Sequence, residues 1–104
     1  MYTIFQTETF SKWLAKLKDL RGKVAVARRI ERAQTGNLGD VKSVGEEVWE
    51  MRIPVGAGYR AYYTKEGDRI IILLCGGDKS TQERDIRKAG QLAKEVKNDP
   101  PETV

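Results

Sequence analysis

The spacing of apolar residues changes at Asp40, and that change most restricts what this chain can fold into. Ahead of it, Tyr2–Gln6 reads as a short strand. From about Thr9, Phe10, Trp13, Leu14 and Leu17 recur at i, i+3, i+4 and i+7, the repeat of an amphipathic helix. Asp19–Gly22 interrupts that stripe. Val24, Ala27 and Ile30 mark a second, weaker one that stops at Gly36-Asn37, a helix C-cap signal, so the two helices are expected as a hairpin. Beyond Asp40 the period is two. Val41–Val44, Val48–Ile53, Tyr59–Lys65 and Arg69–Cys75 read as strands joined by short turns, Gly45-Glu46-Glu47 and Glu66-Gly67 among them, which implies an antiparallel meander.

Ile70–Cys75 is apolar at every position, the pattern of a central strand covered on both faces. The cover for its second face is a last helix, opened by Ser80 and Glu83 as a capping box and continued by Ile86, Ala89, Ala93 and Val96 up to Lys97. The expected class is therefore α+β: a small antiparallel sheet of about four to five strands, an N-terminal helical hairpin on one face and a C-terminal helix. At this length residues 1–97 are expected to form one domain, with 98–104 as a flexible tail.

The chain has no histidine and one cysteine, Cys75, which removes the commonest metal ligand, the commonest general base and any internal disulfide. No metal site and no cofactor are expected, and catalysis would fall to Lys, Arg, Glu, Asp or Tyr. A lone cysteine closing an apolar run fits a buried, inert thiol in a reducing cytoplasm. No stretch is long and apolar enough to cross a bilayer, and Met1–Gln6 lacks the charged start of a signal peptide, so a cytoplasmic location away from membranes is expected. Nineteen Lys and Arg against fifteen Asp and Glu leave +4, an excess that matters only where it is gathered.

The segment Glu50–Tyr63 suggests where. With Pro54–Gly58 as the loop, Ile53 faces Tyr59 and Arg52 faces Arg60, while Trp49, Met51, Ile53, Tyr59, Ala61 and Tyr63 share the opposite face. Val44 facing Val48 would set Lys42 opposite Glu50, and Tyr62 lies on the other side of Glu50. One face then carries Lys42, Glu50, Arg52, Arg60 and Tyr62. Like charges directly across a ladder repel, and in this register the arginine pair lacks a carboxylate of its own, so an anion such as phosphate is the expected ligand. Lys79 follows in Gly76-Gly77-Asp78-Lys79-Ser80, next to a helix N-terminus. Such a face could cleave RNA: Glu50 or a desolvated lysine as base, Arg52 and Arg60 stabilising the phosphorane charge, Lys79 as stabiliser or acid, Tyr62 stacking on a base. The second helix adds Arg21, Lys23, Arg28, Arg29 and Arg32 against Glu31, a patch suited to ribosomal RNA or an acidic protein partner, or simply a solvated helical face.

The blocks Gly36-Asn37-Leu38-Gly39-Asp40-Val41-Lys42, Trp49–Ile53, Gly58-Tyr59-Arg60-Ala61-Tyr62-Tyr63 and Leu73–Gln82, in this order, resemble the RelE/ParE superfamily of toxins from bacterial toxin-antitoxin modules. They are similar to the branch of addiction module killer proteins, related to HigB and to the phage Gp49-like family. The resemblance covers nearly the whole chain up to the tail. It implies a microbial-ribonuclease-like fold and, for the RelE and HigB members, cleavage of mRNA in the ribosomal A site by basic residues on the sheet. Arg60 falls where the family places a phosphate-supporting arginine, Arg52 on the preceding strand, Lys79 after the last strand, and Gln82 beside it as an RNA contact. The C-terminal tyrosine or histidine of several relatives is absent, since no aromatic follows Tyr63. The resemblance also implies a cognate antitoxin, usually a helix-turn-helix protein, through which alone operator DNA would be bound. The ParE-like alternative is inhibition of DNA gyrase by protein contacts.

Overall fold

The structure, a computed structural model, describes residues 1–98. Its elements run β1 (Thr3–Gln6), α1 (Glu8–Lys16), α2 (Leu20–Gln34), β2 (Val41–Gly45), β3 (Val48–Ile53), β4 (Tyr59–Glu66), β5 (Ile70–Asp78), a 3-10 turn (Lys79–Thr81) and α3 (Gln82–Asn98). The helix α3 includes Asn98; the rest of the expected tail, 99–104, lies outside the described residues.

The helices begin where side-chain oxygens meet the free N–H groups of a first turn. The Thr7 hydroxyl accepts the Phe10 N–H at 3.1 Å and donates to the Leu74 carbonyl at 2.6 Å, so one side chain caps α1 and pins it to β5. Asp19 caps α2 by accepting the Gly22 N–H at 3.1 Å, while its other oxygen accepts the Tyr59 hydroxyl at 2.9 Å. The capping box ahead of α3 is Asp78 with Thr81, not Ser80 with Glu83. A single 3-10 turn precedes the helix and shifts the cap upstream; Ser80 instead donates to Asp78.

The sheet order is β1-β5-β4-β3-β2. From β2 to β5 the strands form the expected antiparallel meander, and β1 adds in parallel on the outer edge of β5, pairing Thr3–Gln6 with Ile70–Leu73. One face packs under α1 and α2, with Phe10, Val26, Met51, Ile53, Tyr59, Ala61, Tyr63 and Leu73 buried. The other packs under α3, with Val48, Tyr62, Leu74, Cys75, Ala89 and Ala93 buried. The run Ile71–Cys75 is buried throughout, as its composition requires. At Cys75, burial and the neighbouring Asp85 push the thiol up to about 12, which keeps it protonated and unreactive.

Two expectations need correcting. Val44 does not face Val48: a bulge lets Gly45 pair with Val48, and the two-residue turn Glu46-Glu47 takes left-handed φ values of 52° and 63°. The buried face of α2 is also not Val24-Ala27-Ile30. Gly22, Val26, Arg29 and Ala33 face inward, while Val24 is 43% exposed and Ile30 half-buried. A glycine and an arginine at core positions hid the true phase. Gly22 is there because any Cβ would meet the Tyr59 ring at 2.3 Å.

The Gly76-Gly77 pair has a similar cause. A Cβ at Gly76 would lie 2.3 Å from the Trp13 indole of α1, and one at Gly77 1.8 Å from the Asp85 carboxylate of α3, so both helices close onto β5 at this point. Among the described residues no helix is long and apolar enough to cross a membrane. Gly76→Ala is expected to destabilise the fold by about 1–3 kcal/mol through overpacking, lowering Tm by several degrees in a thermal melt. An unchanged Tm would show that Trp13 does not press on β5.

Candidate functional site

Two rows of side chains cross the sheet on the α3 face. The first runs through Arg52 on β3, Arg60 on β4 and Gly77 on β5, and Arg52 and Arg60 are directly opposed as their spacing predicts. The second runs through Lys42, Glu50, Tyr62 and Cys75. The helix α3 lies over the second row and leaves the first at its N-terminal end, where Lys79 is exposed.

Glu50 organises both rows. Its carboxylate is 0% exposed, and one oxygen accepts the Gln82 amide at 2.8 Å and the Tyr62 hydroxyl at 3.2 Å and stands 3.6 Å from Arg60 Nε. Burial, reinforced by the Glu50 charge, pushes the Tyr62 phenol far above its ordinary value, so it remains a proton donor to Glu50. Neither residue can meet a substrate in the role the sequence suggests. Glu50 is sealed from solvent and orients Arg60 rather than accepting a substrate proton. Tyr62 is 0% exposed inside the α3 core and offers no ring for base stacking. Gln82 is half-buried, with its amide turned inward to Glu50. Lys42 is exposed opposite Glu50, but the carboxylate turns toward Arg60 instead of forming a ladder pair with it.

The arginine pair is not without carboxylates either. Arg52 Nη2 lies 3.3 Å from Asp40 Oδ1, and Arg60 lies beside Glu50. Asp40 is the residue that sequence reasoning missed. Extending the Lys42 to Glu50 register by two residues sets Asp40 opposite Arg52, and the Arg52 N–H indeed donates to the Asp40 carbonyl at 3.0 Å. Each guanidinium thus stands beside one acid, and the Nε atoms of Arg52 and Arg60, both shut off from solvent, have no hydrogen-bond acceptor within the described residues. The Arg52 side chain is 38% exposed and that of Arg60 13%.

Of the basic residues on α2, the structure separates Arg28 from Arg29. Arg28 is exposed. Arg29 is buried, and its guanidinium donates to the carbonyls of Arg52, Leu38 (3.0 Å) and Asp40 (3.3 Å), tying the loop before β2 to β3. It is a structural clamp and no part of an RNA-binding patch. Gly39, at φ 70°, leaves the space this clamp fills, since a Cβ would lie 2.8 Å from Arg29 Nη2. Burial, with the like charge of Arg32 second, lowers the Arg29 pKa, which leaves a guanidinium still charged at neutral pH.

A small α+β protein with opposed arginines beside a buried glutamate is the class that fold and site define. Residues 12–97 match the family described as Phage derived protein Gp49-like. The chain belongs to that family, which is a toxin-like addiction-module family. A protein of Haemophilus influenzae, named only as an uncharacterized protein, is 52% identical over 90 residues, covering 86% of this chain and 91% of the relative.

The two acids should differ sharply when removed. Glu50→Ala leaves a largely buried Arg60 without its carboxylate and is expected to cost about 3 kcal/mol or more. Asp40→Ala breaks an exposed pair and should cost less than about 1 kcal/mol. Urea unfolding of both variants checks this, and equal losses would contradict the organising role of Glu50.

Proposed function

We propose that the chain is the toxin of a toxin-antitoxin module, related to the RelE/ParE superfamily, and acts as a metal-independent endoribonuclease on mRNA engaged by the ribosome. The observation that carries this is the opposed pair Arg52 and Arg60 on one sheet face, each beside one carboxylate and each with part of its side chain open to solvent. Held in this way, the pair would not have to reorganise as negative charge grows on a phosphate, the condition under which electrostatic stabilisation is largest.

In the reaction a ribose 2′-hydroxyl gives up its proton to solvent as its oxygen bonds to the adjacent phosphorus, and the bond from phosphorus to the 5′-oxygen breaks. Arg52 and Arg60 receive the added charge on the phosphorane oxygens. Lys79, exposed in the 3-10 turn after β5, is assigned to the leaving oxygen as proton donor or charge stabiliser. Glu50 is a positioning residue, acting through Arg60. Lys42, exposed at the end of the second row, is assigned to a neighbouring phosphate. A cognate antitoxin is the expected partner, with operator DNA bound only through it.

The burial of Glu50 and Tyr62 removes two groups from the reacting set, and this favours keeping the ParE-like reading, inhibition of DNA gyrase by protein contacts, as the second one. Induction in bacterial cells separates the two. Ribosome-dependent cleavage predicts growth arrest with codon-phased mRNA 5′ ends, and loss of about 100-fold or more of cleavage in Arg60→Ala and Lys79→Ala, with the Lys79 variant keeping its native Tm. Full toxicity from both variants would remove the proposed site, and inhibition of purified gyrase without mRNA breaks would establish the alternative.

A further inference from the structure

The shifted phase of α2 leaves an apolar strip facing out. Leu20 is 72% exposed and Val24, one turn on, 43%; together with Met1 they are the large hydrophobic residues most open to solvent among those described. Leu20 and Val24 line a groove of about 780 Å³ between α2 and the β3–β4 turn, where Val55 contributes from the far side. Arg21, Arg28 and Arg32 stand in the same groove, exposed, and none of them forms an ion pair among the described residues. The one carboxylate in the lining, Asp40, is engaged by Arg52.

Apolar floor and cationic rim together specify an occupant. A nucleic acid would meet the arginines but not the leucine and valine, whereas a helix or extended segment with apolar residues on one side and acids on its flanks satisfies both. We infer that this groove, between α2 and the β3–β4 turn, is the docking site for an acidic, amphipathic segment of the protein's partner. The existence of that partner rests on the toxin-antitoxin reading; the groove's chemistry does not. Because Arg29 joins α2 to the Arg52 carbonyl, an occupied groove would brace the strand that carries Arg52.

The test uses the full chain, labelled for NMR, and a synthetic 18-residue peptide with Leu at i, i+3, i+4 and i+7 and Glu between. Saturable shifts centred on Leu20, Val24 and Val55 are expected. Leu20→Asp with Val24→Asp should weaken binding by about 10-fold or more, as should Lys for Glu or Ser for Leu in the peptide, while Arg60→Ala leaves it unchanged. Equal binding of the Lys peptide would overturn the charge argument. A short single-stranded RNA that shifts Leu20 and Val24 more than the peptide does would assign the groove to RNA, and a dimer in sedimentation abolished by Val24→Asp would assign it to a second copy. Growth arrest is unaffected by any of these outcomes, so failure here is separable from failure of the toxin reading.

Discussion

A carboxylate with no exposed surface sits in the middle of this sheet, and the arrangement of its α3 face depends on it. Removing Glu50 from water is unfavourable unless cationic and polar donors surround it. Arg60, Tyr62 and Gln82 gather at one of its oxygens, from two positions of β4 and from the start of α3, while the other oxygen has no hydrogen-bond partner within the described residues. That shared demand sets the helix N-terminus over the second row, holds Tyr62 in the core and fixes Arg60 against Arg52. The cationic row is therefore a consequence of a buried acid rather than a loose patch of surface charge.

Comparable ties organise the other face. Asp19 caps α2 and takes the Tyr59 hydroxyl, so the helical connection is locked to the start of β4. Arg29 reaches three carbonyls and joins α2 to β3. At Gly76-Gly77 the backbone is stripped of Cβ atoms so that Trp13 and Asp85 can approach from opposite sides. Polar side chains with specific partners thus align elements whose apolar packing alone would tolerate sliding.

Period and register carried far in the sequence. Alternation around Pro54–Gly58 placed Arg52 against Arg60 and Glu50 against Tyr62, both observed, and Lys42 does face Glu50 although the Val44–Val48 facing that suggested it is replaced by a bulge. What escaped were features decided by three-dimensional context. Whether Glu50 faces water or a helix depends on where α3 lands, and nothing in strand alternation states that. The inward phase of α2 was masked because Gly22 and Arg29 are not apolar, although both are dictated by contacts, with Tyr59 and with the loop carbonyls. Asp40 was legible, since the ladder already drawn leads straight to it. The parallel edge strand β1 was not, because a short strand followed by helices leaves its pairing open.

On the proposed reading, the opposed arginines of this face receive a phosphodiester. The direct measurement is an NMR titration of the arginine side-chain N–H signals with a short 2′-O-methyl RNA that cannot be cleaved. Shifts at Arg52 and Arg60 are predicted, with an affinity that weakens as salt is raised. Unmoved Arg52 and Arg60 signals, with shifts confined to Arg28 and Arg32 on α2, would contradict the account.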